Sequence, residues 1–158
     1  MAVDDIDFVI SAYREDGQWQ VESLPTHLGN DLDGLISMLR RLPADSGVIA
    51  FVSIDEDFFI AVRVAGPHVR LFLSDGTAAT DWPLAREVLG RLDLPLPDDD
   101  EAVQPAGDTA IFADLGVEPM ELAAVCDDED SYPDEMVVSL AQDIGIGPQV
   151  EQILDSLT

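Results

Sequence analysis

The segment 47-GVIAFVSIDEDFFIAVRVAGPHVRLFLS-74 reads as three consecutive β-strands. Residues 47–54 are apolar without alternation, the mark of a strand that is central or covered on both sides. Residues 58–65 and 68–74 alternate, with Arg63 and Arg70 among the outward positions. Asp55-Glu56-Asp57 and Gly66-Pro67 are too short to be anything but turns, so the three strands form an antiparallel meander.

On the N-terminal side, residues 7–14 alternate with Phe8, Ile10 and Ala12 on one face, and residues 18–23 place Trp19 and Val21 together. Glu15-Asp16-Gly17 lies between them as a tight turn, giving a hairpin with one wet face. Residues 31–42 change period: Leu32, Leu35, Ile36, Leu39 and Leu42 share a helical stripe, Asn30 or Asp31 can cap its start, and Pro43 stops it. Residues 81–92 repeat that pattern with Leu84, Val88, Leu89 and Leu92 inward, Thr80 or Asp81 as cap and Pro83 in the first turn. The order ββαβββα specifies an α+β fold: a five-stranded, mostly antiparallel sheet with its helices on one face.

Residues 93–107 are rich in proline and acid. Two or three short helices follow, at 118–126, 133–144 and 148–157, opened by Pro119, Pro133 and Pro148, with Gly145 stopping the second. The last carries Val150, Ile153, Leu154 and Leu157 on one stripe. Helices this short are marginal alone in water, so they must pack on one another, on the sheet or on a partner. The expected organisation is a sheet domain at 1–94, an acidic Pro-rich linker at 95–107 and an acidic helical region at 108–158.

The charge is lopsided. The chain of 158 residues has a formal net charge of −26 and contains no lysine. Residues 1–94 hold 16 acids and all 7 arginines, whereas residues 95–158 hold 17 acids and no basic residue. The second part cannot form an ion pair within itself, and its self-repulsion costs stability unless a basic surface is brought to it. Direct nucleic-acid binding is disfavoured, because phosphate affinity comes mainly from Lys and Arg. Anionic membranes are disfavoured for the same reason, and no apolar run approaches the roughly 20 residues of a spanning helix. Met1-Ala2-Val3-Asp4-Asp5 has no basic n-region, and Cys126 is the single cysteine, so a cytoplasmic protein is expected.

Catalytic chemistry is poorly supplied. His27 and His68 lack the neighbours of a triad, and Cys126 is followed by four acids that oppose thiolate formation. Neither GxxxxGK[ST] nor GxGxxG is present. The acidic runs 98–101 and 127–130 lack the oxygen spacing of a calcium loop. No cofactor and no metal are therefore expected. A tryptophan at position 82 ordinarily forms a lid over a core; beside a small polar loop it can also anchor a partner. Candidate partner-binding residues are Asp81 and Trp82, together with Asp127, Asp128, Glu129 and Asp130.

The stretches SDGTAATDWPLAREVL (74–89) and AYREDGQWQVESLP (12–25) are familiar, as are VSIDEDFF (52–59), AGDTAIFADLG (106–116), MEL (120–122) and YPDEM (132–136). Together they resemble the actinobacterial family of tRNA adenosine deaminase-associated proteins. The resemblance implies association with the zinc enzyme that converts wobble adenosine to inosine, and it brings no catalytic residues. The chain is not that enzyme: the deaminase needs a His/Cys/Cys zinc set and an H-x-E…P-C-x-x-C pattern, whereas this sequence has His27-Leu28-Gly29, His68-Val69-Arg70 and one cysteine. The leading expectation is a non-catalytic interaction or regulatory protein that meets a basic partner, with the deaminase as candidate. The alternatives are a nucleic-acid mimic acting on another binding protein and, last, an enzyme built from carboxylates.

Overall fold

The computed structural model describes residues 6–42, 47–65, 67–80, 82–94, 105–127 and 131–156. Its centre is one antiparallel sheet of β1 (Ile6–Glu15), β2 (Gln18–Ser23), β3 (Val48–Ile54), β4 (Phe58–Ala65), β5 (His68–Leu73) and β6 (Ala106–Gly107). The spatial order is β2-β1-β3-β4-β5-β6, so β3 is central, as its unbroken apolar run requires. There are six strands, where the sequence pattern yields five. The sixth has two residues, pairing Gly107 with Phe72 and Ala106 with Leu73, and comes from a segment that reads as linker. Two residues are too few to show a period. Gly107 is required there: at φ +104° its backbone passes so close to β5 that a Cβ would lie 2.5 Å from the Leu71 carbonyl oxygen.

Two turns set the register. Asp16 and Gly17 both have positive φ (53° and 79°), and this two-residue loop pairs Glu15 with Gln18. Asp55 and Glu56 also sit in the left-handed region (49° and 52°), closed by the Asp57 N–H donating to Ile54 O at 2.9 Å. Asp7 supports this less comfortable turn: its carboxylate accepts from the Glu56 N–H at 2.8 Å and from Ser53 Oγ at 3.1 Å.

The first face of the sheet carries α1 (Leu32–Arg40) and α2 (Pro83–Arg91), as expected, with Leu32, Leu35, Ile36, Leu39, Leu84, Val88 and Leu89 on Val9, Val52, Ile60 and Val62. Asp31 caps α1 by accepting from the Gly34 N–H at 3.0 Å. The cap of α2 differs from expectation. Its N-cap is the extended residue Trp82, which follows a 3-10 turn at Gly76–Thr80 and whose side chain makes no capping hydrogen bond.

The second face is covered by α3 (Pro119–Cys126), α4 (Pro133–Ile144) and α5 (Gly147–Ser156). Phe8, Ile10, Phe51, Phe59 and Phe72 from the sheet pack with Phe112, Leu122, Val137, Leu140, Ile144 and Val150. The two helices of the ββαβββα order thus share one face, as expected, and the C-terminal helices, whose docking the sequence leaves open, cover the other. Because β1 is buried on both sides, the single wet face expected of the hairpin survives only on β2. Leu157, expected on the stripe of α5, and the Pro43 stop lie outside the described residues, as does most of the expected linker.

Candidate protein interface

The second layer is fastened to the sheet by two arginines that the strand alternation places outward. Arg63 on β4 and Arg70 on β5 are register partners. Arg63 is buried; it donates to Ile111 O at 2.8 Å and forms a two-pronged ion pair with Asp114, one arm at 2.7 Å. Arg70 donates to Asp108 at 2.5 Å and to Ala110 O at 2.7 Å. Their guanidiniums hold both carboxyls below the usual carboxylate range, chiefly through these hydrogen bonds and against a partial opposing effect of burial. The two arginines are thus not simply outward: Arg63 is buried, while the Arg70 side chain stays 37% exposed. Alternation identifies residues that share a face, but the cover on that face comes from residues some 40 to 50 positions later.

With Arg63 and Arg70 used beneath the layer, and Arg14 stacked 4.9 Å from the Trp19 ring centroid at its margin, the outer surface of α3, α4 and α5 is left acidic. Between α4 and α5 runs an open groove of about 460 Å³. Its apolar lining is Val138 and Leu154, and its acidic lining is Asp134, Glu135, Glu151 and Asp155. Gln142 on α4 donates to Glu151 on α5 at 3.2 Å and ties the two helices together. A second hollow of about 240 Å³, between α3 and α4, shares Glu135 and Ser139 with the first and is lined also by Val125 and Met136. Met120 and Tyr132, at the starts of α3 and α4, are 85% and 58% exposed, so the layer presents apolar groups among its acids.

The candidate residues from sequence are dispersed. Trp82 lies on the first-face side, half-buried, with its ring 6.1 Å from that of Phe58 and its Nε1 donating to Asp57 at 3.0 Å. Asp127 is the exposed C-cap of α3, in the second layer. Asp81, Asp128, Glu129 and Asp130 lie outside the described residues. Cys126 is largely enclosed, and burial, with Asp127 adding to it, pushes its thiol up to about 12. Among the described residues, no group of three or more His, Cys, Asp or Glu side chains is placed to hold a metal ion, and no helix is long and apolar enough to cross a membrane. The groove acids went unnoticed in the sequence because single acids at 134, 135, 151 and 155 look like ordinary solvated helix positions. A helical projection of 133–144 is the available signal, since it lines up Asp134, Val138 and Gln142 along one flank of the apolar stripe.

Comparison with known proteins is consistent across most of the chain. Residues 7–147 match the family described as Rv3753c-like tRNA adenosine deaminase-associated protein. The chain is 33% identical over 153 residues to Protein Rv3753c of Mycobacterium tuberculosis (strain ATCC 25618 / H37Rv), covering 95% of this chain and 88% of that protein. No solved structure gives a significant match. The family match and the near full-length relative agree, and the chain belongs to the Rv3753c-like tRNA adenosine deaminase-associated protein family.

Proposed function

We propose that this protein is a non-catalytic accessory of a tRNA adenosine deaminase, contacting that enzyme through the acidic outer surface of its C-terminal helical layer. The family description names association with the deaminase, which supports the choice of partner. The observation that carries the mode of contact is the charge: residues 95–158 hold 17 acids and no basic residue, and among the described ones Glu121, Asp134, Glu135, Asp143, Glu151 and Asp155 lie on helices whose inner faces are taken up by the sheet. An enzyme that binds tRNA needs a basic surface, and an acidic face is attracted to it over long range. Asp127 lies on this surface, and Asp128, Glu129 and Asp130, which follow it in sequence, are proposed to add to the contact. Trp82, on the other side of the sheet, with Asp81 beside it in sequence, forms a separate proposed contact.

Co-expression of the two proteins and affinity purification at low and high salt tests the reading. The expected result is co-purification at low salt and loss of the complex at high salt, because exposed charge pairs are screened. Failure to co-purify at low salt, with both proteins folded, would sink it.

A further inference from the structure

We infer that the groove between α4 and α5 is the seat of a basic amphipathic helix of the partner, a conclusion that rests on the accessory role proposed above and locates its contact. The groove has two chemical zones. Its floor holds Val138 and Leu154, which the core contacts on one side and leaves partly exposed on the other. Its rim carries carboxylates from both helices, Asp134 and Glu135 on α4 and Glu151 and Asp155 on α5. An occupant needs a narrow apolar stripe flanked by cations on both sides. A helix with Leu at i, i+3 and i+4 and Lys or Arg beside them has that cross-section. An extended segment fits less well, because the backbone groups of α4 and α5 are spent within the helices and offer no strand edge to pair with. The α4 lining runs from Asp134 to Gln142, a seat about 12 Å long, or some two turns of a bound helix.

The test is an NMR titration of the full chain with a synthetic Leu/Lys amphipathic helix as probe, set against an unstructured lysine-rich peptide of equal charge. Two double variants accompany it. Glu151→Lys/Asp155→Lys reverses two charges on the rim, and Glu56→Lys/Glu87→Lys makes the same change in net charge on exposed residues away from the groove. Thermal melts check that both remain folded. The expected result is shifts concentrated at Val138 and Leu154 with the helical probe, and affinity reduced about tenfold or more by the groove variant but little by the distant one. Shifts spread over the whole acidic surface, equal binding of the unstructured peptide, or equal losses from both variants would overturn the inference. A deaminase complex that the groove variant leaves unchanged would also overturn it while sparing the accessory role. Groove-specific binding of the probe without any deaminase complex would uphold the groove and reject that enzyme as its partner.

Discussion

Arg63 shows how much a single side chain carries in this fold. Its guanidinium is buried while Asp114, its partner, is 59% exposed. The two ends of the pair should therefore respond differently to mutation. Asp114→Ala leaves a buried cation with only the Ile111 carbonyl, and is expected to cost about 2–4 kcal/mol. Arg63→Met keeps the apolar stem, leaves an acid that water can solvate, and is expected to cost less, about 1–2 kcal/mol. Urea denaturation of both variants checks the order; a larger loss in Arg63→Met would contradict it. The pH dependence follows from the same pair. The folded-state pKa of Asp114 is depressed, so its contribution is fully present above the unfolded carboxylate pKa of about 4 and is lost as pH falls through the folded value. The stability difference between wild type and Asp114→Asn is therefore expected at neutral pH and should shrink in acid. Glu87 runs the other way. Burial, with Asp33 and Asp31 adding to it, raises its pKa, so it costs stability as pH rises and its carboxyl ionises.

At the level of elements, the β3–β4 turn is a place where sequence and geometry disagree. Asp55 and Glu56 both occupy left-handed backbone, a conformation that glycine and asparagine adopt more readily, and Asp7 holds them there. Glu56→Gly is expected to stabilise the fold by about 0.5–1 kcal/mol, read as a raised melting temperature, whereas Asp7→Ala is expected to lower it. If Glu56→Gly lowered the melting temperature, the Glu56 side chain would have a stabilising contact beyond its backbone. Elements with local signals were the legible ones. The prolines at 119 and 133 open α3 and α4, Gly145 ends α4 in the left-handed conformation, and Asp16-Gly17 makes the hairpin turn. What covers each element was not legible. Val9 and Tyr13 look like the wet side of a hairpin until α1 is laid over them, and Arg63 looks like a solvent arginine until residues 111–114 reach it. Both covers arrive from distant parts of the chain, and periodicity describes only neighbours in sequence. The groove was illegible for a similar reason, since it exists only when α4 and α5 lie side by side.

Across the whole molecule, one sheet is held between two helical layers of different character. The first-face layer carries Arg40, Arg86 and Arg91, the last paired with Asp33. The second carries only acids, and two arginines of the sheet fix it in place. A net charge of −26 means that unscreened repulsion outweighs these few ion pairs, so added salt is expected to raise the melting temperature of the free protein. A melting temperature that fell with salt would show the ion pairs to dominate. The same salt that steadies the fold should weaken a complex formed through the acidic layer, and this opposition separates a functional surface from a merely solubilising one. The most direct measurement is a calorimetric titration of the intact protein with the tRNA adenosine deaminase at about 50 mM and about 500 mM salt, where the Debye length falls from roughly 14 to 4 Å. Binding at the lower salt that weakens steeply at the higher is the result predicted. Absence of binding at low salt between two folded proteins would contradict the proposed contact, and the charge would then serve solubility alone.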